Sequence, residues 1–277
     1  MGQRAMHEEQ AGFGLSPRLW KNMLDDWAFG LKDRNHAIGM YDDFTEFQTS
    51  TGEGPYVILE GSAATVEQVA STGNTSTTGL GLLAFTLTGA GSGAANEEAG
   101  IAYGRGLDAP FKLTSDLCFE CRLSWAEITA AKWAWFIGLS QAGACVTDKT
   151  FVDSTGVFAT DYDFLGFQHL YAEGASVDAM YAVDGNNVDG ADNTDLDAVH
   201  TLVAGTFVKL GFRYEHYPRC LRYFVNGIEV AKLSAATCDL ATFPDDNFMT
   251  PTYVIKDIAG DDSVISHLDW WACAQVL

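Results

Sequence analysis

From Tyr41 onward the apolar residues recur with a period of two, and that alternation limits the fold more than any other feature of the chain. In WAWFIGLS (133–140), Trp133, Trp135, Ile137 and Leu139 fall on one side of an extended backbone. In FVKLGFRYE (207–215), Val208, Leu210, Phe212 and Tyr214 do the same. Alternate side chains of a strand point to opposite faces, so each run has one face to bury. The pattern predicts strands at 43–48, 56–61, 79–88, 97–103, 111–125, 132–140, 161–170, 178–183, 206–216, 220–226, 228–234, 249–257 and 263–276. Within RCLRYFVNGIEVAKL (219–233), Asn226-Gly227 splits two alternating runs. Both central positions of a type I′ turn need positive φ, which this pair tolerates, so a tight hairpin is expected there. A parallel sheet would need helices between its strands, and none is legible after residue 40. The expectation is therefore all-β: two antiparallel sheets packed face to face. No repeat or Pro-rich linker divides 41–277, which reads as one domain.

Residues 1–40 read differently. They hold five basic and five acidic residues, so the segment is neutral, whereas 41–277 carries 11 basic against 32 acidic residues. The first fourteen residues show no period. SPRLWKNMLDDWAFGLKDRN then offers Ser16 as N-cap and Pro17 at the first helical position, with Leu19, Trp20, Met23, Leu24 and Trp27 at helical spacing. A short helix over about 17–29 is expected, within an N-terminal arm that ends near residue 40. Phe13, Leu15, Trp20, Met23 and Trp27 are apolar and need burial, against the arm's own sandwich or against another subunit. A lone helix of this length is marginal in water, so it must gain stability by packing. These five are the candidate interface residues.

A net charge of −21 repels phosphate backbones and anionic membranes, so neither nucleic acid nor a membrane is an expected partner. The start MGQRAMHEEQ has no apolar stretch of the secretory kind, and Met6 breaks the myristoylation pattern after Gly2. Residues 78–95 are apolar but alternate and abound in Gly and Thr, as a strand and turn would. Six cysteines without a secretory signal are expected to stay reduced. Cys118 and Cys121 form a CxxC in LCFECRLSW, yet residues three apart in a strand face opposite ways and cannot chelate one ion. They read as small buried hydrophobes.

Catalytic patterns are sparse. A sandwich glycosidase needs two carboxylates across one cleft. Glu120 has Arg122 and Cys118 as its same-face neighbours, and Glu97 and Glu98 are adjacent and so diverge. Asp161 and Asp163 do share a face, with His169 further along it, but they stand where a strand begins, a usual place for solvated carboxylates. No G-x-S-x-G, HExxH or His-x-x-His spacing occurs, and GRGLDA (104–109) leads to Pro110 rather than to a helix. The expectation is a chain with no catalytic site, no cofactor and no enzymatic activity. For a metal, the loop DGNNVDGADNTDLD (184–197) offers hard oxygens at Asp184, Asn186, Asp189, Asp192, Asp195 and Asp197, which suit calcium. Val188 at the fifth position and the missing terminal Glu break the EF-hand spacing, so a solvated acidic loop is the reading preferred over a calcium site.

The order of strand motifs resembles a family. YDDF near residue 42 is followed by NEEAGIAYG, PFKLTSDLCFECRLSW and WAWFIGLS. FVKLGFRYE, RYFVNGIEVAKL and a closing SHLDWWACAQ come next. Over about 41–277 this is similar to the concanavalin A-like (LamG-type) jelly-roll proteins of tailed bacteriophages. The resemblance implies a jelly-roll β-sandwich acting as a capsid decoration or cement protein. It implies a virion protein made in the host cytoplasm, bound to the major capsid protein on the head surface. Self-association, most plausibly as a trimer, goes with that role. The alternatives are a glycan-binding or glycan-cleaving jelly roll, or a tail-fibre adhesin.

Overall fold

The computed structural model describes residues 14–21, 23, 37–45, 47, 55–61, 64–69, 81–88, 98–104, 109–128, 133–145, 162–170, 174–184, 186–189, 192–257 and 264–276. Sixteen strands and one short helix are named among them. The strands are β1 (Ala37–Asp42), β2 (Tyr56–Glu60), β3 (Ala64–Gln68), β4 (Leu83–Leu87), β5 (Glu98–Tyr103), β6 (Leu117–Trp125), β7 (Trp133–Gln141) and β8 (Phe164–His169). They continue as β9 (Ser176–Val183), β10 (Asn186–Val188), β11 (His200–Thr201), β12 (Val208–Glu215), β13 (Cys220–Val225), β14 (Ile228–Leu233), β15 (Met249–Asp257) and β16 (Val264–Val276). The helix α1 spans Ala235–Cys238. No helix among the described residues is long and apolar enough to cross a membrane.

Two antiparallel sheets result. Sheet A runs β14-β13-β12-β6-β16-β4-β3, with β1 on β16; sheet B runs β10-β9-β8-β7-β15-β5-β2, with β11 on β9. The long strand β16 pairs β4 with its first half and β1 with its second. Register follows the alternation read from the sequence. Phe212 lies opposite both Phe119 and Tyr223, and the Phe119 and Phe212 rings stack at 5.2 Å. The inner faces meet in one core, where Trp125 stacks on Trp135 at 4.6 Å and Phe85 meets Tyr253 edge-on at 4.7 Å. Two buried hydroxyls find partners across the core: Tyr253 donates to Ser266 Oγ (2.7 Å) and Tyr223 to the Met180 carbonyl (2.8 Å). The hairpin turn forms as expected, with φ of 50° at Asn226 and 76° at Gly227. A Cβ on Gly227 would also come within 3.0 Å of Ser16 Oγ.

Several boundaries differ from the sequence reading. The first strand is 37–42 rather than 43–48: Phe44 takes φ of 54°, and its N–H turns back onto Asp42 Oδ1, which ends the strand. The sandwich thus begins inside the stretch assigned to the arm. The run 111–125 becomes a strand only at Leu117, because Lys112–Asp116 turn first. β3, β10, β11 and α1 were not anticipated; they are short and carry too few alternations to register. Of the expected helix 17–29, residues 17–21 form turns, Met23 is helical, and 24–29 lie outside the described residues.

Candidate functional site

A sandwich can bind a ligand on an outer sheet face, at an open edge or at an end. The middle of each outer face is covered. On sheet A the outward residues of β6 include Cys118, Glu120 and Arg122, and the segment Gly14–Met23 lies across them. Leu15, Leu19, Trp20 and Met23 pack against Cys118, Phe224, Trp270, Ala272 and Ala274. Glu120, 1% exposed, accepts the Ser16 backbone N–H and the Trp20 indole N–H, both at 2.8 Å on Oε2. Lys209 Nζ donates to the Gly14 carbonyl (3.1 Å), and Arg213 Nη1 to those of Arg18 (3.0 Å) and Leu19 (3.3 Å). Burial pushes the Glu120 carboxyl above its ordinary 4.5, and the two donated hydrogen bonds act against that shift. Of the candidate interface residues, Leu15, Trp20 and Met23 are therefore buried on the sandwich itself, and Phe13 and Trp27 lie outside the described residues.

The outer face of sheet B is buried as well. Leu59, Ala102, Phe136, Ala144, Cys145, Phe164, Met180, Ala182 and Val254 form a second apolar cluster there. Beside it Lys256 and Glu98 make an ion pair at 3.2 Å with both side chains buried. Such a pair costs desolvation that good geometry offsets, and removing one partner alone would leave a buried charge.

Of the residues weighed for catalysis, Asp163 and His169 are both buried. Asp161 lies outside the described residues. Asp163 is buried, not solvated; it accepts from Asn247 Nδ2 (3.0 Å) and from the Asp184 N–H (3.2 Å), and burial raises its carboxyl pKa. His169 sits in the core between Trp133 and Trp135, with Nδ1 2.7 Å from the Ser176 carbonyl, and burial lowers its pKa. Cys118 and Cys121 do face opposite ways: Cys121 is in the core, and Cys118 lies beneath the arm, 3.6 Å from the Leu19 carbonyl.

The acidic loop is knitted by its own hydrogen bonds. Asp189 is buried and accepts from Gln168 Nε2 and Asn187 Nδ2, each at 2.7 Å. Asn186 Nδ2 donates to the Val183 carbonyl, Asp192 N–H to the Asp189 carbonyl, and Asp195 N–H to Asn193 Oδ1. Asp184 is exposed at φ of 50°, and Asp178 accepts the Ala198 N–H at 2.7 Å. Among the described residues no three His, Cys, Asp or Glu side chains gather as a metal site. The five calcium candidates, Asp184, Asn186, Asp189, Asp192 and Asp195, are not brought together.

Two open places stand out among the described residues: an apolar one of about 450 Å³ beside Met40, Tyr103 and Phe111, and a polar one at an edge. Between this loop and the terminal strand β14 lies a groove of about 610 Å³, lined by Thr194, Asp195, Asp197, Glu229 and Lys232 together with Ala198 and Val199. Ile228 and Val230 stand exposed on β14. The carboxylates and the ammonium can bond to hydroxyl groups, and the aliphatic side chains can meet C–H faces. Sequence reasoning missed this site because its two walls, a loop and a terminal strand, are some thirty residues apart and meet only in the folded chain. It passed over Glu120 because a lone carboxylate on a strand carries no signal of what will cover it.

No protein-family model matches the sequence, and no curated protein sequence matches it. Solved structures do. A protein of unknown function from Shewanella oneidensis superposes with a TM-score of 0.56 at 13% identity, covering 90% of this chain and 94% of its own. Peanut lectin gives 0.53 at 11% identity, covering 87% and 98%. An endo-1,3-β-glucanase from Streptomyces sioyaensis gives 0.53 at 14%, covering 85% and 95%. At these identities the likeness shows the fold, a concanavalin A-like jelly roll. One expectation is corrected by it. The absence of enzymatic activity was inferred from missing carboxylate motifs, and the glucanase shows that this architecture carries glycan cleavage. None of the three is described as a capsid protein.

Proposed function

We propose that the chain is a glycan-recognising jelly roll whose ligand lies in the groove between the 194–199 loop and β14. The observation that carries this reading is the groove itself: an open cleft with three carboxylates, a hydroxyl and an ammonium beside exposed aliphatic side chains. A lectin and a glucanase on the same fold support it by analogy. The charge selects among glycans. Asp195 and Asp197 outnumber Lys232, with Glu229 already tied to Arg222 at 2.9 Å, on a body of strongly negative charge, so neutral or amino sugars are favoured over uronate and sulfated polymers. The test is calorimetric titration with neutral β-glucan, amino-sugar and uronate oligomers, with product analysis of the same mixtures to read turnover. Neutral or amino-sugar oligomers should bind, and Asp197→Asn should weaken them about tenfold or more, since a hydrogen bond to a charged group contributes roughly 1.5–3 kcal/mol. Binding that Asp197→Asn and Lys232→Ala leave unchanged would move the site elsewhere.

A second reading, decoration of a phage head through the major capsid protein, is supported by the order of strand motifs and by an arm of distinct charge. Retention of the chain on purified heads, unaffected by groove variants, is the result that would favour it.

A further inference from the structure

We propose that the apolar pocket beside Met40, Tyr103 and Phe111 is a binding site for a neutral aromatic ligand that carries one hydrogen-bonding group, placed against the Tyr103 hydroxyl. The inference is independent of the groove along β14. The pocket opens where the two sheets part. Among the described residues β1 pairs with β16 alone, and β2 is the last strand of sheet B. Ile38 and Met40 of β1 stand on one side of the pocket. Pro55, just before β2, and Tyr103, the last residue of β5, stand on the other, and Pro110 and Phe111 complete the lining. Met40 and Phe111 are buried members of the core, Ile38 and Tyr103 are half-buried, and Pro55 is exposed. The pocket thus leads from solvent down to core side chains.

The lining decides the chemistry of the ligand. None of its eight residues is charged, on a chain of net charge −21, so an ion finds no partner there. Hydrogen-bonding groups are few as well. Pro55 and Pro110 have no N–H. The Pro55 carbonyl accepts the Gly104 N–H (2.7 Å), and the Tyr103 carbonyl accepts the Thr250 hydroxyl (2.7 Å). Phe111 donates its N–H to the Met249 carbonyl (3.2 Å) and accepts the Met249 N–H in return (2.7 Å). A water in a cavity needs roughly two to four polar partners, and apolar cavities stay dry and take up benzene or xenon instead. The Tyr103 hydroxyl is the one side-chain oxygen or nitrogen in the lining, and it has no hydrogen-bond partner among the described residues. A ligand gains here by being apolar and by setting one donor or acceptor on that oxygen.

Size and wall chemistry select a ring. A sealed cavity of about 150 Å³ takes benzene. The pocket, at about 450 Å³, lies within the range of roughly 300–1,000 Å³ usual for small-molecule sites, so two fused rings fit. Aromatic rings prefer to meet edge-on or offset, as Tyr103 already meets Tyr56 at 5.9 Å, and Phe111 offers a further ring. Met40 suits the same ligand, because a thioether adapts its shape and makes favourable contacts with aromatic rings. A straight alkyl chain would gain burial alone.

Full-length chain labelled with ¹³C at its methionine methyl groups is titrated with indole and with benzothiophene, a two-ring analogue of the same shape that lacks the N–H. The chain has six methionines, and Met40→Leu identifies the Met40 signal. Both probes should shift that signal saturably, with indole the tighter. Tyr103→Phe should weaken indole about two- to tenfold, the share of one neutral hydrogen bond, and leave benzothiophene unchanged, a split that a general loss of folding would not give. Ile38→Trp, which fills the pocket from its rim, should abolish binding of both. A Met40 signal that neither probe moves, an indole-to-benzothiophene affinity ratio that Tyr103→Phe leaves unchanged, or tighter binding of octanol than of indole overturns the proposal.

Discussion

Replacing Trp20 by Ala tests how the outer face of sheet A is sealed. Trp20 is fully buried and hydrogen-bonded to Glu120. A side chain of this size removes about 200 Å² from water, worth about 5 kcal/mol at ~25 cal/mol per Å². Alanine keeps part of that, and measured Trp→Ala losses in well-packed sites run about 3–5 kcal/mol. Glu120 also loses one of its two donors, a further cost of about 1–3 kcal/mol if the carboxylate stays buried. It need not stay buried. The arm can lift and let water reach Glu120, so the total loss cannot exceed the docking free energy of residues 14–23. Trp135, stacked on Trp125 in the core, has no such escape. Urea unfolding should therefore show Trp20→Ala losing about 3 kcal/mol and Trp135→Ala distinctly more, as cavity costs in a core that cannot collapse are at the upper end. The corresponding drop in melting temperature for Trp20→Ala is about 5 °C. A Trp20→Ala chain that unfolds within about 0.5 kcal/mol of the wild type, the scale of a neutral surface change, would refute the reasoning.

Glu120 makes arm docking pH-dependent. Its pKa is raised above 4.5 by burial, so between 4.5 and that raised value the docked chain holds a proton that the undocked chain releases. Docking is strongest below this window and weakens as pH rises through it; Glu120→Gln should flatten the dependence, read as the pH profile of the arm's hydrogen exchange. Lys256→Met should cost about 3–5 kcal/mol by leaving Glu98 charged in an apolar setting, and adding Glu98→Leu should recover most of it in thermal melts. Replacing Asn226 and Gly227 by Ala forces two positive-φ positions on residues that resist them, costing about 1–2 kcal/mol per residue in denaturant midpoint. Calcium followed by chelator should leave the melting temperature unchanged, because Gln168, Asn187 and Asp163 already hold the 184–195 loop. A site filled to a hundred times its Kd would instead add about 2.7 kcal/mol.

The alternation of Val208, Leu210, Phe212 and Tyr214, and of its counterparts, determined the two sheets, because a period of two admits one buried face per strand. Asn226-Gly227 determined its hairpin for an equally local reason, the backbone angles that pair tolerates. The opposed faces of Cys118 and Cys121 followed from the same period. Local pattern could not tell which outer surfaces stay open. Asp163 looked like a solvated strand-end carboxylate and is buried, because Asn247 and Asp184, far away in sequence, close over it. Leu15, Trp20 and Met23 announced a need for burial without saying where. Their site is built from β6, β12, β13 and β16, strands adjacent only once the sheet has formed. The groove between the 194–199 loop and β14 likewise exists only where that loop comes to lie beside the edge strand of a sheet. The sequence alone determined which side of each strand is dry, since that depends on neighbours two residues away. Only the tertiary structure decided which charged groups lie under the arm and which face the groove, because that depends on contacts between segments far apart along the chain.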